Sequence, residues 1–149
     1  MPSDKITKTY DPDKVIITFG GIPIGGYADG SFAKITANSD LFTTKVGADG
    51  EIARTRKHNG TYGIDITLMQ TSPSNSHLTV IENIDRATGM GIRPLSITDL
   101  SGGSLHFWPE AWISKDPDAD YGAEVGDRAW HFETGQVATN LINGDYIPG

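Results

Sequence analysis

Hydrophobic residues alternate with small or polar residues without a break from residue 61 to residue 68 of the strand pattern 61–69. The apolar positions are Tyr62, Ile64, Ile66 and Leu68, and the small or polar positions between them are Thr61, Gly63, Asp65 and Thr67. Successive side chains of a strand point to opposite faces, so a period of two predicts a strand with one buried and one exposed face. This segment is the clearest strand pattern in the chain.

The period of the pattern changes directly after this strand. Ser72 is a favourable N-cap residue because its hydroxyl accepts a hydrogen bond from a free backbone N–H of the first helical turn. Pro73 suits the first helical position, where its missing N–H removes no intrahelical bond. Gly89 suits the residue after the helix. The predicted apolar face consists of His77, Val80, Ile81, Ile84 and Ala87, with Leu78 at its edge. The sequence therefore predicts one helix over about 73–88.

Shorter strand patterns lie on both sides of this strand–helix pair. They cover residues 15–19, 32–37, 41–46, 51–57, 92–98, 105–113, 128–133 and 137–142. Asp49-Gly50 and Asn59-Gly60 are dipeptides typical of tight hairpin turns. Gly135 is expected to join the last two strands as a pair.

Two prolines and a glycine-rich stretch modify these strands. Pro94 predicts an edge position for the strand 92–98 because proline has no N–H to donate to a neighbour, and Pro109 interrupts the strand 105–113. The glycines of residues 20–26 predict a tight turn or bulge. The patterns together predict a mainly β (α+β) fold class, with two packed antiparallel sheets in a β-sandwich or partly open barrel and one flanking helix.

Length and composition fit a single domain over residues 1–149. Of the 149 residues, 37% are hydrophobic and eighteen are glycine. This composition suits one hydrophobic core and many short turns. The charged start of the chain, about 1–12, is predicted to be an extended N-terminal arm, and the end, about 143–149, a short C-terminal tail.

The charge of the chain argues against a basic nucleic-acid-binding face. The net charge is -7, and residues 99–149 carry nine acidic residues but only Lys115 and Arg128 as basic ones. An acidic surface repels DNA phosphates. The chain has no cysteine, which excludes disulfides and thiolate chemistry. The polar first residues and the lack of a long apolar run predict synthesis in the cytoplasm and no membrane span.

No group of residues has the spacing of a catalytic or metal site. Asp116, Asp118 and Asp120 match the first ligand positions of a calcium loop, but the glycine falls one position late, and Asp127 replaces the final glutamate. The segment 116–127 is therefore predicted to be a solvated acidic loop. The histidines lack the spacing of metal ligands. The sequence predicts no catalytic residue, no metal and no cofactor, and hence no enzyme.

A cationic cluster at residues 54–58 lies between the two hairpin signals and contains Arg54, Arg56 and Lys57. One interpretation is a solvated hairpin edge, whose charges discourage unwanted strand pairing. The other is an electrostatic contact with an acidic partner, such as the last third of another copy of this chain. The residues alone leave both interpretations open.

Two stretches resemble the tail tube proteins of contractile-tailed (myovirus-type) bacteriophages. The first, VIITFGGIPIGGYADG, spans residues 15–30 and resembles their first hairpin, in which a short strand leads into a glycine-rich turn. The second, GTYGIDITLMQTSPSNSHLTVIENI, spans residues 60–84 and resembles their central segment, in which a strand ends in a polar stretch before the single helix. The resemblance covers most of residues 10–98.

The resemblance implies a structural function in the virion tail. Members of this family form hexameric rings whose sheets join into an inner barrel. The stacked rings form a tube that encloses the tape measure protein and passes phage DNA during ejection without sequence-specific binding. The tail sheath protein surrounds this tube, and baseplate and tail terminator proteins are further partners. The tube protein of type VI secretion is related in fold. Such a protein would be synthesised in the bacterial host cytoplasm, would self-assemble and would need no membrane.

The resemblance also assigns expected roles to two surfaces. The polar face of the strand 61–69 is expected to face the lumen, with Thr61, Gly63, Asp65 and Thr67 as candidates. Contacts between rings or subunits are expected on the predicted hairpin, with Val46, Asp49, Glu51, Arg54, Arg56 and Lys57 as candidates. The alternatives are a tube initiator, baseplate or secretion-tube component of the same fold, or a small-molecule-binding β-barrel module.

Overall fold

An antiparallel β-sheet that curls onto itself makes up most of the fold. The computed structural model describes residues 7–148. The strands are β1 Lys8–Thr9, β2 Val15–Phe19, β3 Ile22–Ile24, β4 Ala33–Ala37, β5 Phe42–Val46, β6 Ile52–Arg56, β7 Tyr62–Met69, β8 Arg93–Asp99, β9 Leu105–Lys115, β10 Asp127–Thr134, β11 Thr139–Leu141 and β12 Ile147–Pro148. The helices are a short 3-10 turn at Pro12–Lys14 and α1 at Ser74–Thr88.

Eight strands form the main sheet, in the order β3-β2-β8-β9-β10-β7-β4, with β11 also paired to β9. The rings of Phe19 on β2 and Phe132 on β10 touch edge to face, with centroids 5.1 Å apart. Three strand spacings separate β2 from β10 in the sheet, about 14 Å if the sheet were flat. The sheet therefore curls until its two halves pack face to face, which confirms the predicted sandwich or partly open barrel.

The core lies between these two halves. On β7, Ile64, Ile66 and Leu68 are fully buried, while Asp65 between them is exposed. The predicted alternation of buried and exposed positions is therefore confirmed. Each fully buried side chain of this size contributes about 1.5–3 kcal/mol to the free energy of folding. The other core residues are Ile17, Phe19, Ile24, Leu78, Ile81, Leu95, Ile97, Trp108, Ala111, Trp130 and Phe132.

The helix α1 matches the predicted segment, but its buried face differs from the predicted one. Leu78 and Ile81 are its buried residues, whereas Val80 is 56% exposed and Ile84 39% exposed. A polar contact also joins the first turn of the helix to β10. Asn75 accepts a hydrogen bond from the indole N–H of Trp130 at 2.9 Å. The spacing of apolar residues along the sequence does not predict such a contact.

Two predictions about strand positions are wrong, one for β8 and one for the dipeptide Asn59-Gly60. The strand β8 is not an edge, because it pairs with both β2 and β9. Pro94 is tolerated there because it lies at a register shift between Arg93 and Leu95. Asn59-Gly60 makes no hairpin, since β7 pairs with β4 and β10 and not with β6.

The last two strands do not form the predicted pair either. Both pair with β9, which is eleven residues long and continuous through Pro109. On β9, residues 111–115 pair with β10 and residues 105–107 pair with β11. Pro109 lies between these two pairing segments, where no N–H is required of it.

Two stretches far apart in sequence meet at the start of the helix. The Ser72 hydroxyl donates to the carbonyl of Gly25 at 2.6 Å and accepts the N–H of Ser74 at 3.2 Å. The Ser74 hydroxyl in turn accepts the N–H of Gly25 at 3.0 Å. Gly26 lies beside them in a left-handed conformation, with φ of 72°. The glycine-rich stretch of residues 20–26, in which β3 forms, is therefore anchored to the helix start.

Candidate functional site

The predicted lumen residues share one outward face, shaped by β4, β7 and β10. Asp65 lies opposite Lys34 on β4 and opposite His131 on β10. Gly63 and Thr67 project to the same side of β7 as Asp65 because they are two positions away on either side. The remaining outward residues of these strands are Thr36, Met69, Asp127, Ala129 and Glu133. Thr61 immediately precedes β7 and accepts a hydrogen bond from the Asn38 amide at 3.1 Å.

His131 connects two carboxylates on this polar face. Its Nδ1 lies 2.6 Å from Asp65 Oδ1, and its Nε2 contacts Glu133 Oε2. The hydrogen bond to Asp65 raises the pKa of His131 above the ordinary 6.5, burial opposes this rise, and Glu133 adds to it. The protonated ring donates one hydrogen bond to each carboxylate and so offsets part of the negative charge on this face.

We expect the stabilisation from His131 to depend on pH. Its pKa is higher in the folded chain than in the unfolded chain, so the stabilisation is complete below about pH 6.5 and is lost as pH rises through the folded value. Replacing His131→Gln should lower the free energy of unfolding by up to about 1 kcal/mol at pH 6 and by less at pH 9, since the ion pairs are partly exposed. Denaturant titrations at both pH values measure this difference.

The matched control for this prediction is His58→Gln, because His58 is exposed and outside the network. Lys34 and Lys115 lie opposite Asp65 and His131 in the sheet and are the same in wild type and in both variants. An equal effect of His131→Gln at pH 6 and pH 9 would contradict the assigned network.

The predicted contact residues lie on a protruding hairpin formed by β5 and β6. These strands pair with each other and with no other strand among residues 7–148. Every residue of the two strands is exposed except Phe42, which is half-buried. Val46 is 63% exposed and Ile52 71% exposed, next to each other across the ribbon. A two-stranded ribbon with exposed apolar side chains gains stability from a partner surface.

Two arginines of the hairpin lie over an aromatic ring. The Arg54 guanidinium lies 4.0 Å from the centroid of the Phe42 ring, and that of Arg56 lies 5.7 Å away. Neither arginine has a carboxylate within ion-pair distance in the described part of the chain. The predicted turn at Asp49 is present, because its carboxylate accepts the Glu51 N–H at 3.1 Å. The hairpin therefore offers unpaired positive charge beside apolar surface.

The acidic segment 116–127 is exposed along most of its length. Asp116 contacts Arg86 on α1 at 3.3 Å, and the Arg128 guanidinium lies 5.4 Å from the Tyr121 ring. Among the described residues, no three acidic or histidine side chains are grouped to hold a metal ion. The segment lies on a different element from the basic hairpin, so one copy carries two separate surfaces of opposite charge.

The structure brings the predicted lumen residues together on one face and the predicted contact residues together on one ribbon. Sequence patterns did not reveal His131 and Glu133 as neighbours of Asp65. The alternation of Trp130 and Phe132 with His131 in the sequence is the one signal that could have separated His131 from the core. No short segment of the sequence indicated that β10 would lie beside β7.

The fold has counterparts among solved structures of contractile particles. It matches the anti-feeding prophage tube-terminating cap with a TM-score of 0.56 and 11% identity, covering 95% of this chain and 99% of that one. It also matches the PVC sheath/tube terminator of an extracellular contractile injection system, in its extended state, with a TM-score of 0.63 and 11% identity. That match covers 89% of this chain and 97% of the other. The fold is thus that of phage-tail-like tube proteins.

Sequence comparison defines the family. Residues 20–142 match the family described as bacteriophage PhiTE tail tube protein. The chain is also 32% identical over 132 residues to structural protein ORF10 of Pseudomonas phage KPP10, covering 83% of this chain and 76% of that protein. The chain belongs to the phage tail tube family.

The predicted resemblance is therefore confirmed, and the chain is a structural tail component that assembles with other tail proteins. It is located in the virion tail and is not an enzyme. Within residues 7–148, no helix has the length and apolar character needed to cross a membrane.

Proposed function

We propose that this chain builds the inner tail tube, in which hexameric rings stack into a channel for phage DNA. The observation that carries the proposal is the position of β4. It ends the strand order of the main sheet, its far edge is unpaired among residues 7–148, and it belongs to the outward polar face. An open edge of this kind is satisfied when a neighbouring copy adds a strand, and a head-to-tail contact of this type closes into a ring.

The polar face is suited to the wall of such a channel. Lys34, Asp65, His131 and Glu133 alternate in charge across three neighbouring strands. A wall with paired charges and small residues such as Gly63 does not trap phosphates, so DNA passes without sequence-specific binding. The same wall would enclose the tape measure protein before ejection.

The hairpin is suited to contacts between stacked rings. It extends beyond the main sheet with exposed Val46 and Ile52, and its Arg54 and Arg56 have no carboxylate partner among residues 7–148. The acidic segment 116–127 offers the complementary charge on the next copy. The tail sheath protein would cover the outside of the tube, and baseplate and tail terminator proteins would contact its ends.

Cryo-electron microscopy of the purified chain at high concentration tests the tube. We expect hexameric rings that stack, with β4 paired to a neighbouring copy and Asp65 at the lumen. A chain that stays monomeric at every concentration would contradict the proposal, and so would rings with Asp65 on their outer surface. Placement of the hairpin in bulk solvent would contradict its role in stacking.

A tube terminator is the second candidate, because both structural counterparts are terminators or caps. An initiator or baseplate component of the same fold is a further alternative, and one measurement separates all of these from the tube. Quantitative mass spectrometry of purified virions gives the copy number of the chain relative to the tail sheath protein. The tube requires a copy number close to that of the sheath, whereas a terminator or initiator requires a single ring per tail.

A further inference from the structure

An open cavity of about 420 Å³ lies next to β4, near the two ends of the described chain. Its volume falls within the range of small-molecule sites. Part of the lining is apolar and comes from Phe32, Ala33, Ile35 and Ile97. The polar lining comes from Tyr10, Asp99, Ser104, His106 and Asp145. The cavity thus combines an apolar wall with a group of polar side chains, of which His106 is an imidazole and the others carry oxygen.

Asp99 is the most unusual member of this group. Asp99 is only 6% exposed to solvent. Oδ1 accepts the N–H of Ser101 at 2.9 Å, but Oδ2 is buried without any hydrogen-bond partner in the described part of the chain. A buried carboxylate oxygen without a donor is costly. The site therefore lacks one hydrogen-bond donor.

The neighbouring groups define what kind of donor would fit. The Asp145 carboxylate accepts the Ser104 hydroxyl at 2.6 Å, which places a second negative charge at the cavity. Burial raises the pKa of the Tyr10 phenol, and Asp99 and then Asp145 raise it further, so this hydroxyl keeps its proton. Two carboxylates disfavour an anionic ligand, and no metal-holding group of side chains occurs among residues 7–148.

We infer that this cavity binds an apolar stem that ends in a hydrogen-bond-donating cation, such as a primary ammonium or a guanidinium. The stem would lie against Ile35 and Ile97, and the cation would reach Asp99 and Asp145. The cation would supply the donor that Oδ2 lacks and would balance the two carboxylates. This chemistry occurs in free alkylamines and in the lysine or arginine side chains of another copy of the chain.

A titration of the full chain with n-pentylammonium at low protein concentration tests the free-ligand source, with pentan-1-ol as the uncharged probe of the same length. Chemical-shift changes of the Ser101 and Ser104 amides report binding. We expect Asp99→Asn to weaken ammonium binding by about tenfold or more, because a charged hydrogen bond is lost. Asp40→Asn is the matched control, since it removes the same charge from an exposed position outside the cavity.

A second arm tests a side chain of another copy as the source. Sedimentation velocity over a concentration series compares wild type, Asp99→Asn and Asp40→Asn. Selective loss of self-association in Asp99→Asn supports a basic side chain as the occupant, even if the free ammonium does not bind. If Asp99→Asn is not folded by circular dichroism, Asp145→Asn replaces it in both arms.

The inference is overturned if the ammonium binds no better than the alcohol and self-association is unchanged. It is also overturned if the ammonium binds Asp99→Asn as tightly as wild type. The ammonium arm needs no assembly, so its result does not depend on the proposed tube. A chain that binds the ammonium but never forms rings would retain this site and lose the proposed function.

Discussion

Reversing the charge of the hairpin with Arg54→Glu and Arg56→Glu should stop the stacking of rings while leaving the subunit folded. Both arginines lie on Phe42 and have no carboxylate partner among the described residues. If their partner is the acidic segment 116–127 of the next copy, the double change replaces attraction by repulsion. Like charges facing each other at an interface cost several kcal/mol, so we expect the affinity between rings to fall by about a hundredfold or more.

Negative-stain microscopy measures tube length, and denaturant titration measures the free energy of unfolding of the same samples. The unfolding free energy should change by less than about 0.5 kcal/mol, because exposed substitutions away from the core have small effects. The control is Lys8→Glu with Lys14→Glu, which makes the same charge change at exposed residues of other elements. Tubes of normal length in the hairpin variant would show that stacking uses another surface, and loss of tubes in the control would indicate a general charge effect.

Replacing Gly26→Ala should destabilise the subunit through both backbone strain and a collision with the helix start. Gly26 has φ of 72°, which costs an L-residue about 1–2 kcal/mol. A Cβ at Gly26 would also lie 2.5 Å from the Ser72 hydroxyl and 3.2 Å from the Ser72 backbone. That collision breaks the contacts that hold the helix start, so we expect the free energy of unfolding to fall by about 2–5 kcal/mol in total.

The variant Gly21→Ala separates the cost of the positive φ at Gly26 from the cost of the collision with Ser72. Gly21 has a similar φ of 79° in the turn between β2 and β3, but a Cβ there would have no atom within 4 Å. We expect Gly21→Ala to cost about 1–2 kcal/mol, from backbone conformation alone. Equal losses in the two variants, measured by denaturant titration, would rule out the contact between Gly26 and Ser72 as a source of stability.

Local patterns identified the elements of this fold because the forces behind them act over a few residues. The alternation on β7, the hairpin at Asp49-Gly50 and the helix ending at Gly89 were all predicted and are present. The polar face of β7 was also correctly separated from its buried face. These features depend on side-chain direction, turn geometry and backbone hydrogen bonding near each residue.

The wrong predictions concern which strands become neighbours. Pro94 indicated an edge, but a register shift lets β8 lie between β2 and β9. Asn59-Gly60 indicated a hairpin, but the Asn59 side chain accepts the Thr61 N–H at 3.1 Å and the chain turns away. At both positions the arrangement of the whole sheet decided which strands became neighbours, and the local dipeptide or proline signal did not.

The sequence by itself determined the mainly β class, the single α-helix, the hairpin at Asp49-Gly50 and the family to which the chain belongs. Only the tertiary structure decided that His131 lies between Asp65 and Glu133, that Gly26 packs against Ser72, and that Asp99 borders a cavity. Each of these contacts joins groups of residues that are far apart in the chain. Their pairing follows from how the sheet curls to bury its apolar face, and no short segment contains that information.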